Sequence, residues 1–103
     1  MDMLIELKKE NKVVEIIQRN MDLFELFESI YLFGSVLNKS AIPNDIDILL
    51  VYTGNVMEVL KCISDIRTIF EKEIGLPVDL TILSSREIIE TDFLKRINYL
   101  KVK

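Results

Sequence analysis

The chain has 103 residues, 50% of them hydrophobic and 29% charged, and carries a formal net charge of −4. That length suits one small domain over 1–103, which buries roughly 65% of its unfolded surface, and the acidic balance weighs against a binder of bare nucleic acid. The complete lack of histidine excludes Ser-His-Asp triads, Cys-His pairs, HExxH zinc sites and histidine general bases.

Any catalysis therefore falls to carboxylates, lysines, hydroxyls or a hard metal ion. Cys62 is the only cysteine, so an intrachain disulfide is impossible, and a reducing cytoplasm is the expected setting. The start, MDMLIELKKE, is too charged for a signal peptide. No apolar run approaches the roughly 18 residues of a membrane span, so no membrane partner is expected.

Residues 3–28 carry apolar positions at helical spacing: Leu4, Leu7, Val13, Val14, Ile17, then Leu23, Leu26 and Phe27. They predict one helix, or two joined near residues 20–22. Residues 29–33 turn β-branched and aromatic and end at Gly34, which predicts a strand. A short helical turn over 36–40 and a loop over 41–44, fixed by Pro43, should follow. Residues 45–52 predict a second strand, closed by Thr53-Gly54. Asn55 opens a long helix whose apolar face runs through Val56, Val59, Leu60, Ile63, Ile66 and Phe70, with Gly75 as its C-terminal cap. Residues 77–83 predict a third strand. SSRE then offers a capping box, with Ser84 as cap and Glu87 at the third helical position. Ile88, Ile89, Phe93, Leu94 and Ile97 continue at helical spacing, and the basic tail reads as a solvated helix end. The long helix between the second and third strands can serve as a crossover, so part of the sheet should be parallel. The expected class is α/β (α+β): a small mixed sheet of at least three strands, with helices mainly on one face.

Two carboxylates stand out. Side chains alternate along a strand, so Asp45 and Asp47 share one face while Ile46, Ile48 and Leu50 take the other. Two residues span roughly 6.6 Å, so both carboxylates can converge on one point. Asp79 is flanked in the same way by Val78 and Leu80, and adjacent strands would place it roughly 5 Å from the pair. Three close carboxylates repel one another unless a cation neutralises them. Mg²⁺ suits oxygen ligands, and two such ions roughly 4 Å apart clamp the attacking and leaving oxygens of a phosphoryl or nucleotidyl transfer. Asp45 and Asp47 would hold the ions, and Asp79 would complete the second site and accept the attacking hydroxyl's proton. An Asp-x-Asp pair also occurs in glycosyltransferase metal sites and in calcium loops, but no Gly and Glu follow at a calcium loop's offsets. Gly34 lets a phosphate approach the backbone. The Ser35 hydroxyl and the N–H groups of the next turn can bind its oxygens.

The order LFGS, nine residues, DID, and later VDL resembles the nucleotidyltransferase superfamily of DNA polymerase beta. More narrowly it is similar to the minimal nucleotidyltransferases, MntA-type antitoxins among them. The resemblance covers about residues 29–83. It implies that Gly34 and Ser35 hold the triphosphate of ATP or another nucleoside triphosphate, that Asp45 and Asp47 bind two Mg²⁺ ions, and that Asp79 is the third carboxylate. Three places differ from the relatives. Val36 stands where an arginine is common, residues 38–40 lack a second glycine, and Asn44 replaces a serine. Lys39 is the candidate for the missing phosphate-binding charge.

A chain this short needs its acceptor held elsewhere. Minimal nucleotidyltransferases of this kind occur with small helical HEPN-type toxins, and the resemblance implies an antitoxin that transfers AMP to a tyrosine of such a partner. Nucleotidyl transfer to a small molecule such as an aminoglycoside, or to an RNA end, stays open. So does a non-catalytic subunit that neutralises its partner by contact. Cys62 reads as a small core residue. The Met and Phe positions before residue 34 read as core or interface.

Overall fold

Helix α1 (Asp2–Arg19) opens the chain. The computed structural model describes residues 2–37 and 45–103, with side chains from Asn11 onward. Asn20 ends the helix: its side-chain Nδ2 donates to the Ile16 carbonyl at 2.7 Å, and its backbone N–H to Ile16 and Ile17 at 3.2 Å. With those carbonyls taken, the backbone turns, and strand β1 (Phe27–Phe33) begins. The helical spacing read over Leu23, Leu26 and Phe27 is therefore corrected: Phe27 lies in a strand. Phe24 and Phe27 are buried while Leu26 is exposed, and Phe24 packs edge-on against Phe70 at 6.3 Å. Tertiary packing, not local period, decided this stretch.

A 3₁₀ turn (Gly34–Leu37) follows β1, and β2 (Ile46–Tyr52) comes next. The turn expected over 36–40 thus starts earlier, at Gly34; its remainder over 38–40 and the loop expected over 41–44, and with them Lys39 and Asn44, lie outside the described residues. Helix α2 (Val56–Ile74) is delimited as its sequence implies. Asn55 Oδ1 accepts from the Met57 N–H at 2.8 Å, and Gly75 (φ 78°) donates its N–H to the Glu71 carbonyl. Its buried stripe runs through Val59, Ile66 and Phe70 and leaves Val56 and Leu60 exposed, which narrows the face expected from spacing. Cys62 is half-buried against the core, as read; its thiol donates to the Val59 carbonyl at 3.0 Å. Burial pushes that thiol up from its ordinary pKa, so it stays neutral at physiological pH.

Strand β3 (Val78–Ser84) leads into α3 (Ser85–Glu90) through the expected capping box. Ser84 Oγ accepts from the Glu87 N–H at 3.0 Å, and Glu87 Oε1 accepts from the Ser84 N–H at 2.9 Å. The helix read through Ile97 stops early. Thr91 Oγ1 donates back to the Glu87 carbonyl at 2.7 Å, and Asp92 adopts a left-handed φ of 51°. A second 3₁₀ turn (Phe93–Arg96) follows, and then β4 (Tyr99–Lys101). The basic tail is therefore not a helix end. Tyr99–Lys101 pairs antiparallel with β1, and Lys103 Nζ donates to the carbonyls of Phe24 (3.3 Å) and Phe27 (2.7 Å).

The sheet order is β3-β2-β1-β4. β2 and β3 are parallel, joined by α2 as the crossover, and the other two pairings are antiparallel. Helices α1 and α2 cover one face, where Val13, Ile16, Ile17, Ile66 and Phe70 meet Ile30, Leu32, Ile46, Ile48 and Leu50. Each such fully buried side chain contributes about 1.5–3 kcal/mol of transfer free energy. Tyr31, Leu49 and Val51 face the other way, under a smaller cover from Ile88, Phe93 and Leu94. Among the described residues no helix is long and apolar enough to cross a membrane.

Candidate active site

Strand alternation puts the acidic residues on the face opposite α1 and α2. Ile46 and Ile48 are fully buried among the helices, so Asp47 between them points the other way. Asp45 lies in the bend immediately before β2, not inside the strand. Its backbone is fixed by the next residue, whose N–H donates to the Pro77 carbonyl at 3.0 Å. The parallel register then places Asp79 directly across from Asp47.

One carboxylate oxygen from each of Asp45, Asp47 and Asp79 lies within 4.8 Å of the other two. Asp45 and Asp47 are half-buried and Asp79 is exposed. Burial pushes Asp47 above its ordinary pKa of 3.8, and the charges of Asp45 and Asp79 push it further the same way. Among the described residues no lysine or arginine forms an ion pair with any of the three. Among the described residues the cluster is thus a concentration of negative charge without an ion-paired counter-charge.

Gly34 backs onto it. Phe33 pairs with Asp47 across β1 and β2, and Gly34 then adopts φ 81°. A Cβ at that position would overlap Asp47 Oδ2 and stand 3.0 Å from Asp47 Cγ. The glycine is needed both for the backbone conformation and for the space. Ser35, half-buried, follows in the 3₁₀ turn. On the side of β4, a recess of about 520 Å³ is lined by Phe33, Gly34, Ser35, Leu37, Ile97 and Asn98. Ile97 and Asn98 were not expected near the site, because the helical period continued through Ile97. The signal that could have found them is Asn98, a turn former directly before Tyr99 and Leu100.

The donor set fits a small hard cation: each of the three residues offers a carboxylate oxygen, and these oxygens lie within 4.8 Å of one another. Of the expected site residues, the structure brings together Asp45, Asp47 and Asp79, with Gly34 against Asp47 and Ser35 next to it in the turn. Lys39 falls outside the described residues.

Comparisons with known proteins agree with this geometry. The family described as polymerase beta nucleotidyltransferase matches residues 11–99. A crystal structure from Sulfolobus solfataricus, assigned as a nucleotidyltransferase, superposes with a TM-score of 0.59 at 23% identity, covering 98% of this chain and 86% of that one. A chain from a crystal structure of a toxin–antitoxin with AMP-PNP superposes with a TM-score of 0.50 at 19% identity, covering 91% of this chain and 72% of that one. No curated protein gives a significant match. The two superpositions establish a shared fold. The family match spans most of the chain and contains both glycine-serine and aspartate elements, so this protein belongs to the polymerase beta nucleotidyltransferase family.

Proposed function

We propose that the protein is a Mg²⁺-dependent nucleotidyltransferase that moves AMP, or another NMP, from a nucleoside triphosphate to a hydroxyl acceptor. The acceptor is a tyrosine of a HEPN-type helical toxin, and the protein is its antitoxin. The convergence of Asp45, Asp47 and Asp79 beside Gly34 carries the chemical part. The partner is supported by the fold shared with a chain of a toxin–antitoxin bound to AMP-PNP.

Asp45 and Asp47 would hold two Mg²⁺ ions, with Asp79 completing the second position. When bound, the ions supply charge neutralisation at the reacting phosphate oxygens. The chain's own groups do the rest. Gly34 leaves room for the triphosphate to lie along the backbone, and Ser35 offers its hydroxyl to a phosphate oxygen. Asp79, exposed on the edge strand β3, can be reached by an acceptor from solvent. The acceptor oxygen bonds to the α-phosphorus, the bond to the bridging oxygen breaks, pyrophosphate leaves, and Asp79 takes the hydroxyl proton.

The test is intact-mass spectrometry of proteins co-purified with the chain, incubated with ATP and Mg²⁺. Gain of one or more AMP units on a partner tyrosine, lost with Asp47→Ala, is the expected result. An unmodified partner that stays bound and neutralised, equally with Asp47→Ala, would replace transfer with neutralisation by contact.

A further inference from the structure

We infer that the recess between the Gly34–Leu37 turn and Ile97–Asn98 takes the nucleoside half of the donor nucleotide, with the Asn98 amide reading the edge of the base. The inference rests on the nucleotidyltransferase reading and adds to it the group that recognises the donor.

The recess has the size and lining of a small-molecule site. Its volume is about 520 Å³, inside the roughly 300–1,000 Å³ usual for ligand pockets. Phe33, Leu37 and Ile97 supply apolar wall, while Ser35 and Asn98 supply polar groups. Among the described residues no lysine or arginine lines it, so the lining in view suits a neutral group better than the anionic triphosphate. A nucleobase has apolar faces and a polar rim, which matches apolar walls with one amide. An asparagine amide carries both an acceptor oxygen and two N–H donors, so it can bond two adjacent base positions at once.

The recess also adjoins the acidic cluster. Gly34 lines it and is in close contact with Asp47. Phe33 pairs with Asp47 on one flank and with Tyr99 on the other. Two strand spacings, about 10 Å, separate β4 from β2, a span that a ribose and its 5′-phosphate can bridge. A base in the recess would send its phosphates across Gly34 and Ser35 toward the aspartates. Asn98 is exposed and Ile97 only half-buried, so both can be changed without opening the core.

The experiment is calorimetric titration of the whole chain with the Mg²⁺ complexes of ATP, GTP, CTP, UTP and inorganic tripolyphosphate. The wild type should bind its preferred nucleotide at least about tenfold more tightly than tripolyphosphate, and should rank the four nucleotides. Asn98→Ala should weaken the preferred nucleotide about tenfold, the loss of roughly one good hydrogen bond, and flatten the ranking. Ile97→Trp should fill the recess and weaken all four nucleotides. Both variants should keep the wild-type affinity for tripolyphosphate. Equal wild-type affinity for nucleotides and tripolyphosphate would overturn the base site. So would variants that keep the ranking, or that weaken tripolyphosphate by the same factor as the nucleotides. Those results would leave the transferase reading standing. That reading would itself fail, and the base site with it, if the wild type bound none of the five, or if an Asp45→Ala/Asp47→Ala variant bound them all unchanged.

Discussion

Gly34 and Asp47 are in such close contact that no side chain fits at position 34: a Cβ there would overlap the Asp47 carboxylate. The glycine-serine element and the first metal-binding candidates are therefore one mechanical unit. Moving the backbone at Gly34 moves the carboxylate at the centre of the cluster.

The three glycines provide a graded test of that contact. Gly54→Ala meets nothing within 4 Å and no positive φ, so it should leave stability within about 0.5 kcal/mol. Gly75→Ala also has open space but keeps φ 78°; it should cost about 1–2 kcal/mol from the left-handed backbone alone. Gly34→Ala adds overlap with Asp47 to the same strain, so it should cost more than Gly75→Ala. Urea unfolding of the three variants orders them, and equal costs at 34 and 75 would show that the Asp47 contact is unimportant.

Asp47 should act against stability in the free protein. Its native pKa lies above the ordinary 3.8, chiefly through burial and then through Asp45 and Asp79. The native state thus holds the proton more tightly than the unfolded chain does. Stability from this group is fully present below pH 3.8 and is lost as pH rises through the raised native value. At pH 7 with a chelator present, Asp47→Asn should therefore melt above the wild type. The difference should shrink as the pH approaches 3.8. A variant less stable than wild type at neutral pH would contradict the sign.

Divalent metal should reverse that penalty. At about 100 times the dissociation constant, a ligand selective for the folded state adds about 2.7 kcal/mol, which is several degrees or more in a domain of this size. Mg²⁺ with a non-hydrolysable ATP analogue should raise the melting temperature of the wild type by that order. The Asp45→Ala/Asp47→Ala variant should show no shift.

Asp79 should separate chemistry from binding. It is the exposed member of the cluster and the one assigned to the acceptor's proton. Asp79→Asn should lower the transfer rate by about 10²–10⁴-fold while Mg²⁺ and nucleotide still raise the melting temperature. Single-turnover transfer beside a melting curve makes the distinction. Loss of the thermal shift together with the rate would make Asp79 essential for holding the donor.

Much of this protein could be read from local rules. The caps at Asn55, Gly75 and Ser84 are short-range hydrogen bonds set by residue type, so α2 begins and ends, and α3 begins, where the sequence says. The alternation around Asp47 and Asp79 is equally local: strand geometry puts an aspartate opposite its isoleucine, valine and leucine neighbours in any fold that buries those neighbours. Histidine-free composition alone narrows the chemistry to carboxylates, lysines, hydroxyls or a hard metal ion.

What local rules could not decide was which strands meet. Leu23, Leu26 and Phe27 keep helical spacing, as do Ile88, Phe93 and Ile97. Yet Phe27 pairs in β1, and the chain breaks at Asp92 to send Tyr99–Lys101 alongside it. Those outcomes depend on strand pairings between segments distant in sequence, Phe27 with Tyr52 and Phe33 with Tyr99, where pairing in the shared sheet outweighs a weak helical preference. The register of Asp47 against Asp79 follows from the β2–β3 pairing, the overlap of Gly34 with Asp47 from the β1–β2 pairing, and the recess beside Asn98 from the β1–β4 pairing. Sequence determined which residue types were offered to the site. Only the tertiary structure determined which of them came within reach of one another.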